Sequence, residues 1–304
     1  MLKRIKKWII QKIWIIIRIE QKIDKLFLTL GRIELRQLEL LKETNIDNWE
    51  FQITSQWGED GIIQYLIKYI EIPNKTFVEF GVESYKECNT RFLLQNNNWN
   101  GLIIDGSEKL INEIKAENIH WKYDLKAVAN FITKENIDNI FIENNIKGDI
   151  GLLSIDIDGN DYWVWEKISV IKPRIIIAEY NSLFGNKASI SIPYNKDFVR
   201  GVNMPVSYYG ASITALTYLA NSKGYSLVYG NKAGNNVFYV RKDLLNEHVK
   251  EIQIEQAYVK AVFKESRDKN GKMTFLNYED NFLSMQNYNV IDVKSGNEVQ
   301  LKNI

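Results

Sequence analysis

Between residues 76 and 181 the chain alternates short β-branched or aromatic runs with polar, helix-like stretches, and this alternation constrains the fold most strongly. Ser, Thr or Asn residues precede the polar stretches, as expected for residues that cap helices. Strands and helices that alternate at this period form right-handed βαβ units around a buried parallel sheet. The predicted strands are TFVEFGV (76–82), GLIIDG (101–106), HWKYDL (120–125), IGLLSIDID (150–158) and RIIIAEYN (174–181).

Three distinct segments follow the fifth predicted strand. Residues 182–210 are irregular and too long for a plain connection, so they predict a loop that covers a substrate. A helix is then predicted up to Gly224, and SLVYGNKAGNNVFYVR (226–241) predicts a hairpin around a turn rich in Gly and Asn. We therefore expect a Rossmann-like α/β sheet with a terminal antiparallel hairpin, an ending that is rare in dehydrogenase sheets. Beyond about residue 266 the chain is polar, which predicts a loosely ordered extension.

The N-terminal segment predicts a long amphipathic helix. Residues 1–42 hold eleven Lys or Arg and four Asp or Glu, a net charge of +7, whereas the rest of the chain carries −6. At 3-4 spacing from residue 2 to residue 40, every position is Leu or Ile except Lys12 and Gln37. Such an apolar stripe needs a partner. One candidate is a protein surface, either the protein's own domain or a second copy of the chain. The other candidate is an anionic membrane surface, and the helix can contact both a protein and a membrane.

Two properties limit the kind of membrane contact. Lys12 and Arg18 interrupt the apolar stretch before it reaches the ~18 residues that span a bilayer, and no small-residue cleavage site follows. Neither a transmembrane helix nor a signal peptide is therefore predicted. Trp8 and Trp14, among many basic side chains, instead suit a helix that lies in an anionic interface. We expect a cytoplasmic protein that is peripheral to the membrane if this contact forms.

Composition restricts the available chemistry. Cys88 is the only cysteine, which excludes an intramolecular disulfide and a cysteine metal cluster and fits a reducing compartment. His120 and His248 are the only histidines, so a histidine-rich metal site is excluded too. Lys plus Arg exceed Asp plus Glu by one, so the charge does not indicate a nucleic-acid partner. Any catalysis must use carboxylates, amides, Tyr, Lys or binding geometry.

Ligands of open α/β sheets bind beyond the carboxyl ends of the strands, so the residues there matter most. The first predicted strand ends with Glu79 and Gly81 but lacks the G-x-G-x-x-G spacing of dinucleotide sites, which weakens an NAD interpretation. The second ends at Asp105, where a carboxylate can accept both hydroxyls of a ribose or, alternatively, cap a turn. Together with the terminal hairpin, these features indicate a nucleoside site.

Four segments of the sequence carry a family resemblance: TFVEFGVESYKECNTRFLLQNNNWNGLIIDGS, IGLLSIDIDGNDYWVWEKI, IIIAEYNSLFG and GASITALTYLANSKGYSLVYGNKAGNNVFYVR. They resemble the class I S-adenosylmethionine-dependent methyltransferases and, within them, the FkbM-like group. The resemblance covers about residues 52–245 and includes SQWGEDGIIQYLI (55–67), which is similar to the Ser-Gln-x-x-x-Asp entry segment of that group. Val82 and Glu83 depart from the family pattern, in which small residues are common at these positions.

The resemblance implies roles for several residues at the strand ends. Glu79 would orient the cofactor S-adenosylmethionine near Gly81, and Asp105 would hold its ribose. Asp156 would lie beside the transferred methyl group. Further cofactor contacts are implied for Gln56 in the entry segment, Asn89 and Thr90 near the methionine end, Gly106 and Ser107 beside Asp105, and Asp124 and Leu125 near the adenine.

The stretch LLSIDIDGNDYWVWEKI (152–168) contains three aspartates with several possible purposes. A calcium loop of the EF-hand type is excluded, because the first glycine falls at the fourth position and a lysine at the twelfth. The triplet Asp156-Ile157-Asp158 also resembles the Asp-x-Asp of nucleotide-sugar glycosyltransferases. Asp161 is expected to be structural.

The neighbouring strand end completes a predicted acceptor site. Asp158, Glu179 and Asn181 are the candidate catalytic residues, because the first three strand ends are already assigned to the nucleoside. Asp156, Asp158 and Glu179 also form a candidate Mg²⁺ site that could orient an acceptor hydroxyl and lower its pKa. The alternatives are that Asp158 caps the next helix and that Glu179 pairs with a buried Lys or Arg.

The sequence thus predicts an amphipathic basic helix (1–44), a methyltransferase domain (45–265) and a polar C-terminal extension (266–304). The predicted reaction is O-methylation of a sugar, a glycan precursor or another polar small metabolite, and the sugar rests on the resemblance alone. We expect a homo-oligomer formed through residues 1–42. The alternatives are a nucleotide-sugar glycosyltransferase and a non-catalytic, membrane-associated assembly protein.

Overall fold

The computed structural model describes residues 2–117, 119–268 and 270–304, with the side chains of residues 6–8, 12, 19 and 22 onward in the first helix. The helices are α1 (Leu2–Leu40), α2 (Glu59–Tyr69), α3 (Arg91–Asn97), α4 (Glu108–Ala116), α5 (Ile137–Glu143), α6 (Asp161–Lys167), α7 (Ile213–Ser222), α8 (Ile254–Ala257) and α9 (Tyr278–Met285). The strands are β1 (Thr76–Phe80), β2 (Asn100–Asp105), β3 (Leu125–Ala129), β4 (Gly148–Ile155), β5 (Ile171–Glu179), β6 (Ile190–Ser191), β7 (Tyr225–Gly230), β8 (Asn236–Arg241), β9 (Asn289–Asp292) and β10 (Glu298–Gln300).

Seven strands form the central sheet in the order β3-β2-β1-β4-β5-β8-β7. Strands β1 to β5 are parallel, and β8 runs antiparallel to both β5 and β7. The carboxyl ends of β1, β4 and β5 therefore meet at one edge of the sheet. This arrangement confirms the predicted parallel sheet and its antiparallel ending.

Apolar side chains cover both faces of this sheet, as a parallel sheet between helices requires. Along β1, Val78 and Phe80 enter the cluster beneath α5, α6 and α7, whereas Phe77 enters the cluster beneath α2, α3 and α4. All five residues of β1 are buried. The strand is held from both sides, which fixes the position of the chain where it leaves the sheet.

The third strand differs from its prediction. HWKYDL (120–125) is predicted to be a strand, but it forms a turn in which the backbone amides of Lys122 and Tyr123 donate hydrogen bonds to Ile119 O. Trp121, whose aromatic ring suggested a strand, is 74% exposed. The strand begins only at Leu125, where buried and exposed side chains start to alternate.

This shift corrects the two predicted adenine contacts. Leu125 pairs with Gly101 at the amino end of β2, and Asp124 precedes it. Both residues lie at the edge of the sheet opposite to Asp105, so neither can contact a ligand at the carboxyl ends. Asn130 follows β3 at the correct edge and donates its amide to Asp105 O.

The C-terminal extension is not loosely ordered. Strands β9 and β10 form a three-stranded sheet with β6, which belongs to the irregular 182–210 segment. Met285, Val290 and Leu301 are buried there with Phe184 and Ile192. These apolar residues are scattered in a polar sequence, and they form a core only because two distant segments combine. We call this unit, residues 182–210 with 266–304, the cap.

Helix α1 is a single helix of 39 residues with two different faces. Gly31 and Leu38 are buried against the domain. The face that carries Ile19, Ile23, Leu26, Leu30 and Ile33 is between 44% and 62% exposed at these residues. Most side chains predicted for the stripe before residue 19 lie outside the described part. No described helix is long and apolar enough to cross a membrane.

Gly31 offers a test of how α1 docks. A Cβ atom at Gly31 would lie 2.8 Å from Ile53 Cγ1 and 2.9 Å from the Phe92 ring. Gly31→Leu should therefore destabilise the docked helix by about 1–3 kcal/mol, the usual cost of overpacking. The measurements are thermal unfolding and the rate of tryptic cleavage after Lys42, which should increase. Thr29→Leu on the exposed side of the same helix is the control, and an equal effect of both changes would contradict the packing described here.

Candidate active site

A cavity of about 760 Å³ opens at the carboxyl ends of β1, β4 and β5. Its walls come from the turn that follows β1, the ends of β4 and β5, and the cap. An open α/β sheet binds ligands at this edge. Among the predicted site residues, the wall contains Gln56, Glu79, Gly81, Asn89, Asp156, Asp158 and Glu179.

The carboxylate of Glu79 organises the turn after β1. It accepts hydrogen bonds from the backbone amides of Asn89 and Thr90 and from the Thr90 hydroxyl. Burial raises the pKa of Glu79 to about 7, although these hydrogen bonds lower it. Glu79 therefore titrates near neutral pH and lies on the cavity wall, as expected for a group that orients a polar ligand.

Gly81 brings the backbone of this turn against the end of β4. Its φ is +64°, and a Cβ atom would lie only 1.9 Å from Asp156 O. A side chain is excluded both by this conformation and by the contact. Gly81 thereby gives the cavity a floor of bare backbone, which a cofactor can approach closely.

In the entry segment and the turn after β1, some residues line the cavity and others are buried and hold the lining residues in place. Gln56 and Asn89 lie on the cavity wall, and Asn89 Nδ2 donates to Ser154 Oγ. Thr90 is fully buried and outside the wall, so it acts on the site only by holding Glu79. Asp60 accepts the amides of residues 53–55 and anchors the segment, and burial raises its pKa to about 6.

The predicted ribose residues lie behind the turn and outside the cavity wall. Asp105 accepts the amide of Glu83 at 2.8 Å with one oxygen and the amide of Ser107 at 2.7 Å with the other. Ser107 in turn caps α4 by accepting the amide of Leu110. Asp105 is buried, and Gly106 connects it to Ser107 at the start of α4. Asp105 therefore caps this turn and holds the Glu83 backbone, while its contact with a ribose stays a prediction.

Three carboxylates converge at the ends of β4 and β5. Asp156, Asp158 and Glu179 each place an oxygen within 4.8 Å of the others. Burial, followed by repulsion from Asp158, raises the pKa of Asp156 well above its ordinary value. Burial and repulsion from Asp156 do the same for Glu179. Glu179 Oε2 is buried and has no hydrogen-bond partner among the described residues, which leaves it available to a ligand.

Arg200 supplies the positive charge for this cluster, and sequence reasoning did not identify it. Its guanidinium contacts Asp158 Oδ1 at 2.5 Å and Glu265 Oε2 at 3.1 Å. It also lies 3.8 Å above the Tyr209 ring. Arg200 comes from the cap, 42 residues from Asp158, so no local pattern connects the two. The alternative predicted for Glu179, a pair with a buried Lys or Arg, is not found among the ion pairs of the described residues, because Arg200 pairs with Asp158 instead.

The expected catalytic role of Asn181 does not fit its contacts. Asn181 Nδ2 donates to Ser207 O and Tyr209 O, and its Oδ1 accepts the amide of Leu183. Its hydrogen-bonding groups therefore hold the cap in place. Asp161 is structural as predicted, because it accepts the amides of Ile157 and Gly159.

The three carboxylates are also the donor set that a hard cation prefers. Arg200 already occupies one oxygen of Asp158 and brings the counter-charge that a cation would supply. A metal ion would have to share Asp158 with this side chain. The arrangement of the described residues does not support the predicted Mg²⁺ site.

No family model matches the chain, and no curated protein matches it. Among solved structures, the chain is similar to the N-terminal domain of EvdMO1 with S-adenosylhomocysteine bound, with a TM-score of 0.40 and 9% identity over 62% of this chain and 82% of that one. It is also similar to M. capricolum TrmK in complex with S-adenosylhomocysteine (TM-score 0.36, 15% identity, 66% and 76% covered). A third is an S-adenosylmethionine-dependent methyltransferase from Clostridium acetobutylicum (TM-score 0.38, 12% identity, 67% and 94% covered).

The strand order and the reversed β8 between β5 and β7 give the chain the Rossmann-like sheet of the class I methyltransferases, as predicted. The small antiparallel sheet of the cap is an addition to it.

Gly81→Ala should lower the affinity for S-adenosylhomocysteine at least about tenfold, because the added methyl group clashes with Asp156 O and the turn must move. Isothermal titration calorimetry measures this. Gly148→Ala is the matched control, since Gly148 also has a positive φ (+70°) but has open space around it. Equal losses of affinity in the two variants would contradict the specific contact.

Stability should depend on pH through the buried carboxylates of the site. Glu79 and Asp60 have pKa values raised to about 7 and about 6. The folded state therefore binds protons more tightly than the unfolded state, and this stabilisation is lost as pH rises from about 4 to 7. The free energy of unfolding should fall over this window by up to about 6 kcal/mol, because each pKa unit of the two shifts corresponds to about 1.4 kcal/mol. Denaturant titrations at several pH values test this, and Glu79→Gln should fall less steeply than the exposed control Glu87→Gln.

Proposed function

We propose that the protein is an S-adenosylmethionine-dependent methyltransferase that methylates an oxygen of a sugar or another polar small metabolite. The observation that carries the proposal is one cavity with two distinct walls. The first wall is the glycine turn beside Glu79, and the second is the carboxylate pair of Asp156 and Glu179. The sugar acceptor and the FkbM-like group rest on the resemblance of the sequence.

The cofactor would lie against the turn after β1. S-adenosylmethionine supplies a methyl group on a positively charged sulfur. Gln56, Glu79, Gly81 and Asn89 are the residues that line this side, with Asp156 at its inner end. A cationic ligand beside Glu79 and Asp156 would favour the ionised forms of these buried carboxyl groups, and the bare backbone at Gly81 permits close approach. Methyl transfer is an in-line displacement at the methyl group of the sulfonium. Positioning the cofactor and the acceptor contributes much of the catalysis in this kind of reaction.

Glu179 is the residue we assign as general base. A carboxylate with a raised pKa accepts a proton more readily at neutral pH than an ordinary one. Within the described part of the chain its Oε2 has no hydrogen-bond partner, while Oε1 is 3.5 Å from the Tyr209 hydroxyl. Asp156 beside it raises its basicity by repulsion. Arg200 limits the accumulated negative charge and fixes Asp158, which makes Asp158 a positioning residue.

A thermal-shift panel tests the cofactor. S-adenosylmethionine and S-adenosylhomocysteine should raise the melting temperature, whereas NAD and UDP-sugars with Mg²⁺ should not. Selective stabilisation by UDP-sugars would favour the glycosyltransferase that uses Asp156 and Asp158. An absence of stabilisation by every ligand would favour the non-catalytic alternative.

Glu179→Gln should lower turnover by about 10²–10⁴, as expected for the loss of a positioned base, while the affinity for S-adenosylhomocysteine stays within a few-fold. Turnover is followed as S-adenosylhomocysteine formed with a panel of candidate sugars, with and without EDTA. Glu143→Gln, an exposed change outside the cavity lining, is the control. Full activity of Glu179→Gln would exclude the assigned base.

We also propose that α1 associates with α1 of a second copy. Its exposed apolar residues, such as Ile23, Leu26 and Leu30, continue a 3-4 spacing over the whole helix, which suits a coiled coil. Residues 19–42 carry five basic and four acidic side chains, a balance that favours another helix over an anionic membrane. Residues 1–18 carry six basic and no acidic side chains, so this part is better suited to a membrane surface.

Replacing Ile23 and Leu30 by Lys places charges in this seam and should convert the dimer to a monomer in light scattering. Asp24→Lys, outside the seam, should leave the mass unchanged. If the wild-type protein is a monomer that binds phosphatidylglycerol vesicles through the same residues, a membrane and not a second copy covers the stripe.

A further inference from the structure

A second cavity, of about 620 Å³, lies between α1, α2 and the end of α3. It is at the amino edge of the sheet, because Lys75 directly precedes β1 and Trp99 directly precedes β2. The candidate active site is at the opposite edge. The rings of Trp49 and Trp99, which are 1% and 3% exposed, form its floor. The volume is within the range of small-molecule pockets.

Positive charge is concentrated around this cleft. Arg32 and Arg36 come from α1, Lys68 from α2, and Lys75 from the start of β1. Among the described residues of the lining, Glu39 is the only one with a carboxylate. Among the described residues, none of the four cations forms an ion pair. Unpaired like charges around a concave surface raise the local positive potential and attract an anion.

Neighbouring groups hold two of these cations in place. Arg32 Nε donates to Asn96 Oδ1 at 3.1 Å, which leaves its terminal nitrogens for a ligand. Lys68 Nζ lies 4.8 Å from the centre of the Trp49 ring. The buried Gln64 amide donates to Asn97 Oδ1 at 2.8 Å and orders the rear wall. Side chains that are already oriented lose less freedom when a ligand binds.

We propose that this cleft binds the phosphoryl group of a phosphorylated small molecule or headgroup. The terminal nitrogens of an arginine match two phosphate oxygens in a bidentate pair, and lysines add point charges around them. The cleft is larger than a bare phosphate, and the partly exposed Leu35, Ile67 and Ile72 in its lining give the organic part of the ligand an apolar surface. The site does not depend on the proposed methyl transfer, because it lies at the other edge of the sheet.

Calorimetric titration of the full-length protein with pyrophosphate at low salt tests the site. Arg32→Ala with Arg36→Ala should weaken binding at least about tenfold, as expected for the loss of charged hydrogen bonds. Lys22→Ala with Lys25→Ala is the matched control, because it removes the same charge from exposed positions of the same helix. The control should change affinity no more than about twofold, since exposed charges are screened. Lys68→Ala with Lys75→Ala repeats the test without changing α1.

Sedimentation with vesicles of phosphatidylglycerol and phosphatidylcholine identifies the source of the phosphoryl group. If vesicle binding is lost in the Arg32 and Arg36 variant and pyrophosphate competes with it, the ligand is a headgroup. If vesicle binding is unaffected while pyrophosphate binding is lost, the ligand is a soluble phosphorylated molecule. The proposal is overturned if wild-type protein does not bind pyrophosphate, if both charge-matched variants lose binding equally, or if S-adenosylhomocysteine displaces the pyrophosphate.

Discussion

The candidate active site depends on one close backbone contact, between Gly81 and the carbonyl oxygen of Asp156. β1 and β4 are neighbours in the centre of the sheet, and both are buried on two faces. The chain that leaves β1 has to turn sharply over the end of β4, which requires the positive φ of Gly81. This turn places Glu79 on the cavity wall and fixes the distance between the predicted cofactor side and the carboxylates of β4 and β5.

The second constraint is electrostatic. Glu79, Asp156 and Glu179 are drawn from three adjacent strands into one cavity, where burial disfavours their ionised forms. Arg200 offsets this charge by contacting Asp158. It also contacts Glu265, which directly precedes the C-terminal extension in the sequence. The carboxylate cluster and the cap therefore stabilise each other.

Periodicity and strand-end position were sufficient to predict much of this architecture. The parallel strands β1, β2, β4 and β5 and the hairpin of β7 and β8 follow from local patterns of buried side chains. The start of β3 was wrong because Trp121 and Tyr123 have strand-forming side chains in a turn, and Asp124 was misplaced with it. Local strand propensity does not distinguish residues 120–125 from residues 125–129, and only the second segment pairs in the sheet.

Long-range contacts account for the other differences. Arg200 approaches Asp158 only after the cap folds, and Asn181 uses its amide to hold Ser207 and Tyr209 of the same cap. Buried residues of the C-terminal extension such as Val290 have their partners about 100 positions earlier in the chain. A single sequence contains no periodic signal for such pairs.

The most direct test of this account is a crystal structure of the protein with S-adenosylhomocysteine. The account predicts that the ligand occupies the cavity at the carboxyl ends of β1 and β4, with its backbone contacts at Gly81 and its sulfur on the side of Asp156 and Glu179. Ligand bound elsewhere, or a cavity that excludes it because the turn after β1 stays closed, would contradict the account.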